Sequence, residues 1–182
     1  MATDTSTVVA APVRDRVDVL VARWRAANEA IDVETKSLAI RLKRASQHLG
    51  RAFREDLAGL EMETWEAEVL LAVRQYGDRG VSAGRLMRDA QVTSGAITNR
   101  IARLERRGWA RRDVDPVDRR QVIVSLTDEG VRAADRVIAS KTEAEARLFA
   151  GLDSATRARM AADLRTLLLT LEGPARGEED LT

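Results

Sequence analysis

The sequence predicts a mainly α-helical fold carrying one small β-hairpin. Three observations lead there. Turn formers and aromatics are scarce, with Gly 11, Pro 3 and 3% aromatic residues among 182, a poor composition for a β-sandwich. Apolar residues recur at spacings of three and four along most of the chain. Only one stretch, Gln121 to Leu126, is β-branched and alternating, the period of a strand.

Each element follows from a local signal. Residues 1–12 are small and polar and include Pro12, the composition of a disordered leader. Val17, Leu20, Val21, Trp24 and Ala27 lie on one face of a helix over about 14–30. Leu38, Leu42, Ala45, Leu49 and Phe53 stripe a longer helix over about 35–56, with Gly59 as punctuation after it. Thr64 is read as the N-cap of a helix burying Val69, Leu70 and Val73, and Gly77-Asp78-Arg79-Gly80 stops it. Ser82 caps a short helix with Leu86 and Met87 inward, and Thr93 caps the next, where Ile97, Ile101 and Leu104 repeat until Gly108. The Ala90-Gln91-Val92 turn between these two has the size of a helix-turn-helix connection.

Trp109 to Arg112 and Gln121 to Leu126 are then read as paired strands, with the charged segment 113–120 as their tip. Thr127, followed by Asp128 and Glu129, opens a helix to about Phe149 that carries Val131, Ala134, Ile138 and Leu148. Asp153 or Ser154 caps a last helix with Met160, Leu164, Leu167, Leu168 and Leu171, and residues 173–182 are a Gly-, Pro- and acid-rich tail. The full expectation is a winged helix-turn-helix with N- and C-terminal dimerisation helices. Its segments are a leader (1–12), an N-terminal extension with dimerisation helices (13–60), the winged lobe (61–127), C-terminal dimerisation helices (128–172) and a flexible tail (173–182).

Composition excludes several chemistries. Without cysteine there is no disulfide, thiolate metal site or cysteine nucleophile, and the single histidine, His48, builds neither a multi-histidine metal centre nor a serine–histidine catalytic site. No catalytic residue, metal site or cofactor is therefore expected. Glu61, Glu63 and Glu66 crowd a helix start, where the helix dipole favours negative charge, so acid–base catalysis is not needed to explain them. Met1 to Pro12 has no basic start and no long apolar stretch, and the run Leu167 to Leu171 is too short for a membrane span. A cytoplasmic protein with no membrane partner is expected.

The formal net charge is only +1, so any polyanion signal has to lie in the distribution of charge. Between Ile97 and Arg112 six arginines face the single acid Glu105, and Arg119 and Arg120 follow at the hairpin tip. A helix from about Ser94 to Arg107 is roughly 20 Å long at about 1.5 Å per residue. The DNA major groove, roughly 12 Å wide, admits such a rod. With Ile97, Ile101 and Leu104 inward, Ser94, Thr98, Asn99 and Arg103 point outward. Short hydroxyl and amide side chains permit close approach, and arginine can take guanine in a bidentate pair. The DNA-contacting set is Thr93, Ser94, Ala96, Thr98, Asn99, Arg103 and Arg107 around the helix, with Arg119 and Arg120 on the wing. Double-stranded DNA is the expected partner.

On Val92-Thr93-Ser94-Gly95-Ala96-Ile97-Thr98-Asn99-Arg100-Ile101, Leu104-Glu105-Arg106-Arg107-Gly108, the wing Asp115 to Arg120 and Val124 to Gly130, the chain resembles the MarR family of bacterial transcriptional regulators. The match spans about Leu38 to Leu171. The resemblance implies a homodimer that binds a pseudo-palindromic site through one winged lobe per subunit. It also implies a wing-tip arginine in the minor groove, matched by Arg119 or Arg120, with Asp118 as a brace. The apolar stripes at 17–27 and 160–171 support self-association independently, because a small winged lobe cannot cover them.

The helix carrying Trp24 makes the chain similar to the N-terminally extended, urate-responsive branch of that family. Carried over by position, the ligand pocket falls on Trp24, Glu68 and Arg100, with its second arginine at Arg74 or at Gln75. Glu68 departs from the aspartate usual there. A small aromatic or anionic effector, urate-like or a phenolic anion, is the expected signal, and an aromatic face with guanidinium donors suits it. Two other classes fit less well: an enzyme lacks a nucleophile–base pair, and a helical interaction module that does not bind DNA leaves the arginine cluster without a partner.

Overall fold

Polar side chains placed just ahead of apolar stripes start most of the helices. The computed structural model describes residues 13–174, so the expected leader and residues 175–182 of the tail lie outside the described residues. The chain divides after Arg51 into two units.

In the first unit, Asp15 caps α1 (Arg16–Ala27), its carboxylate accepting from the amides of Val17 at 2.7 Å and Asp18 at 2.9 Å. Asp18 returns the bond to the Asp15 amide at 2.8 Å, closing a capping box. Arg41, on α2 (Val33–Gly59), pairs with Asp15 at 2.9 Å and Asp18 at 2.7 Å. The Asp18 amide, with Arg41 beside it, holds the Asp15 carboxyl below the usual carboxylate range. Only Val17 of α1 is buried, while Leu20 and Trp24 are exposed.

The second unit begins at Ala52, in the last turns of α2. It continues with α3 (Thr64–Arg74), a 3-10 turn (Gly77–Arg79), β1 (Val81–Ser82), α4 (Ala83–Asp89), α5 (Ser94–Arg106), β2 (Ala110–Val114), β3 (Val122–Leu126), α6 (Asp128–Phe149) and α7 (Ser154–Glu172). Its core gathers Leu57, Leu70, Val73, Leu86, Ile101, Leu104, Val124 and Val137, so α3, α4 and α5 close over the sheet through their apolar stripes. The strands are antiparallel in the order β1-β3-β2, with Val124 opposite both Val81 and Arg112.

Several details differ from expectation, among them β2, which runs on through Asp113 and Val114 of the expected tip. The cap of α3 is Glu63, one residue before Thr64. A third strand, β1, joins the hairpin; Gly80 feeds it at φ +65°, where a Cβ would lie 2.6 Å from the Val124 carbonyl oxygen. The buried face of α6 is Gly130, Ala133, Ala134, Val137 and Ala144, whereas Ile138 and Leu148 are exposed. Leu38 and Leu49 of α2 are exposed as well.

The junction between wing and α6 explains why that helix begins with a glycine in its first turn. Thr127 caps it by accepting from the Gly130 amide at 3.0 Å, while its hydroxyl donates to the Gly108 carbonyl at 2.6 Å. Gly130 lies so close to Trp109 that a Cβ would sit 1.8 Å from the Trp109 carbonyl oxygen. At the other end of the chain, Asp153 caps α7, none of whose residues is buried. Met160, Leu164, Leu168, Leu169 and Leu171 are all exposed there.

Candidate nucleic-acid interface

The helix pair α4–α5 is built from caps and one tight turn. Ser82 accepts from the Arg85 amide at 3.2 Å, and the Thr93 hydroxyl accepts from the Ala96 amide at 3.2 Å. Between the helices Gln91 takes φ +49°, a left-handed residue that ends α4, and the Val92 amide reaches back to the Met87 carbonyl at 3.2 Å. Ile97, Ile101 and Leu104 are buried as expected. The stripe therefore turns Ser94, Thr98, Asn99 and Arg103 to solvent, with Ala96 half-buried at the edge. Thr93 has its hydroxyl engaged in the cap.

The arginines divide into two groups. Some neutralise acids: Arg112 binds Glu105, the one acid of α5, at 2.5 Å, and that hydrogen bond raises the Arg112 pKa further. Arg111 pairs with Asp113 at 3.2 Å. Arg107, expected among the DNA contacts, instead donates to Glu66 at 2.8 Å and lies over the Trp109 ring, 3.8 Å from its centroid. Glu66 is only 3% exposed and also accepts from the Glu63 amide at 3.0 Å. Arg107 thus ties the end of α5 to the start of α3, and its charge is already matched.

The second group has no carboxylate partner among the described residues: Arg100, Arg103, Arg106, Arg119 and Arg120. Arg103 and Arg100 lie over the ring of Trp65, with guanidinium carbons 4.6 and 5.9 Å from its centroid. Arg119 and Arg120 are exposed at the wing tip. Two aspartates lock that tip. Asp115 accepts from the amides of Val117 at 2.7 Å and Asp118 at 3.1 Å, and Asp118 accepts from the Arg120 amide and the Gln121 side chain, each at 3.1 Å. The Arg120 amide, ahead of Gln121, holds the Asp118 carboxyl below its ordinary value. Asp118 therefore braces the backbone of an arginine, not its guanidinium. The spacing Asp115-Pro116-Val117-Asp118 is the sequence signal for such paired turns; Trp65 and Glu66 carry no comparable local signal.

Within the second unit, Glu68, Arg74 and Arg100 line different features. Glu68 lines a hollow of about 360 Å³ with Leu86, Asp89, Gln91 and Ile97. Arg74 lines another, of about 460 Å³, between α3 and α6, with Leu71, Gln75, Ile138, Lys141, Thr142 and Glu145. It pairs there with Asp135 at 3.0 Å. Arg100 lies over Trp65, and among the described residues it shares no ion pair with Glu68. Trp24 belongs to the first unit, where the Lys36 ammonium lies 4.6 Å from its ring centroid. Among the described residues no group of three acidic or histidine side chains could hold a metal ion. No helix there is long and apolar enough to cross a membrane.

Comparison with known proteins accords with this geometry. Residues 62–130 match a family model described as a winged helix DNA-binding domain. The chain is 30% identical over 130 residues to the HTH-type transcriptional regulator PecS of Dickeya dadantii, covering 71% of this chain and 78% of that one. Among solved structures, a mutant MarR from E. coli complexed with operator DNA matches with a TM-score of 0.63 at 24% identity, over 74% of this chain and 96% of the other. A structure of Bordetella bronchiseptica BpsR, described in terms of regulation of its DNA binding by 6-hydroxynicotinic acid, matches with a TM-score of 0.59 at 25% identity, over 71% and 91%.

Proposed function

Because the chain belongs to the MarR family of DNA-binding transcriptional regulators, and is PecS-like within it, we propose that it acts as a homodimeric repressor released from a pseudo-palindromic operator by a small aromatic anion. The carrying observation is the outward face of α5, where Ser94, Thr98, Asn99 and Arg103 stand beside a wing tip whose two arginines have no carboxylate partner among the described residues. Two-fold symmetry brings two such helices to half-sites about one DNA turn apart. The apolar residues left exposed on α7, and separately those on α1, supply surface for a second copy.

For the effector, the hollow between α3 and α6 is the favoured site. Arg74, Lys141, Leu71 and Ile138 line it, and a planar ring bearing a carboxylate or enolate would compete there with Asp135 for Arg74 and with Glu145 for Lys141. The 6-hydroxynicotinic acid that regulates BpsR falls in that class, as does urate.

One set of measurements tests the reading. Light scattering should give a mass near twice the 20.1 kDa of the chain. Affinity for duplex DNA should fall linearly with log salt, by about 0.9 log units for each phosphate contact. Adding urate, xanthine or 6-hydroxynicotinic acid should release the DNA, and Arg74→Ala should blunt that release. A monomer, or a complex indifferent to salt, refutes the repressor model. A complex that ignores all three anions refutes the effector class alone.

A further inference from the structure

Resting on the reading of α5 as the DNA-contacting helix, we propose that Trp65 is a specificity-determining positioning residue that aims Arg103 at its base. Trp65 is the second residue of α3, half-buried against the core that Val69, Leu70 and Val73 anchor. It makes a fixed platform, while Arg103 on α5 is exposed and has no carboxylate partner among the described residues. The guanidinium carbon of Arg103 lies 4.6 Å from the Trp65 ring centroid, and Arg100 shares the same ring at 5.9 Å.

The chemistry of that stack matters for reading bases. A cation–π contact, unlike an ion pair, engages the guanidinium with no hydrogen-bond acceptor, so its N–H donors keep their bonding capacity. Those donors are what a guanine takes through O6 and N7. A carboxylate partner such as Glu66 or Glu105 would instead consume the fork. Trp65 thus narrows the rotamers open to Arg103 without occupying its donors, and part of the ordering cost is met before DNA arrives.

The test is selection from a randomised duplex library by the full-length protein, with wild type, R103A, W65L and W65F compared. R103A should flatten the preference at one position of each half-site by about tenfold or more. W65L should weaken that same position about two- to fivefold, leaving the other positions and the salt slope as in wild type. W65F, which keeps a ring face, should stay close to wild type. In the R103A background W65L should change nothing further at that position, and this comparison holds even where W65L lowers thermal stability. If W65L leaves the profile unchanged, or weakens all positions equally, Trp65 is a packing residue and the proposal fails while the DNA reading stands. The proposal also fails if R103A leaves the profile unchanged. A wild-type protein that enriches no sequence overturns the DNA reading and this proposal with it.

Discussion

Replacing Arg119 and Arg120 together with alanine is expected to weaken DNA binding by about a hundredfold at moderate salt, with folding unaffected. Both side chains are exposed and neither pairs with an acid among the described residues, so the fold loses nothing when they go. In the proposed homodimer, the double variant removes four cations. The slope of log affinity against log salt should shrink by about 0.9 for each that sat on a phosphate, and an arginine seated in a narrow minor groove adds preference for A·T-rich flanks. Salt titration by fluorescence anisotropy reads the first effect, and flank-swapped duplexes read the second. Asp118→Ala should move binding the same way but less, because it frees the Arg120 amide while leaving both charges in place. An unchanged slope in the double variant would mean that the wing stays clear of DNA and that α5 binds alone.

What the sequence revealed depended on whether a feature was local. The α4–α5 pair was legible almost to the residue, since Ser82 and Thr93 are good caps and Ile97, Ile101 and Leu104 keep a helical period. The wing was legible for the same reason: its strands are β-branched or flanked by a turn-rich tip. β1 was not, because two residues carry no period and its pairing to Val124 is tertiary. On α6 large apolar residues misled, as Ile138 and Leu148 face outward while the helix packs through Gly130, Ala133 and Ala134. Close approach to Trp109 requires the glycine at 130, and hydrophobicity alone undervalues small residues. In the candidate site, charge clustering in the sequence is what singles out Arg103, Arg119 and Arg120. Whether an arginine is free is not local: Arg107 meets an acid 41 positions away, and nothing near it in sequence announces that partner.

That partner makes Arg107 the site of the second large effect. Arg107→Ala should cost about 3 kcal/mol of stability, because it strands the Glu66 carboxylate, 3% exposed, without its cation. The reverse change is milder. Glu66→Gln leaves behind an Arg107 side chain that is 37% exposed and able to rehydrate, and a glutamine oxygen can still accept from the Glu63 amide, so about 1 kcal/mol is expected. Urea unfolding at neutral pH distinguishes the two variants, and equal losses would contradict the asymmetric burial. DNA binding then separates two roles for the same residue. If Arg107 serves only to fix α5 against α3, Arg107→Ala weakens affinity while the salt slope stays at its wild-type value. A slope smaller by about 0.9 per subunit would instead return Arg107 to the phosphate-contacting set. The burial of Glu66 and the 2.8 Å bond favour the first outcome, since a guanidinium paired with a buried carboxylate has little charge left to offer a phosphate.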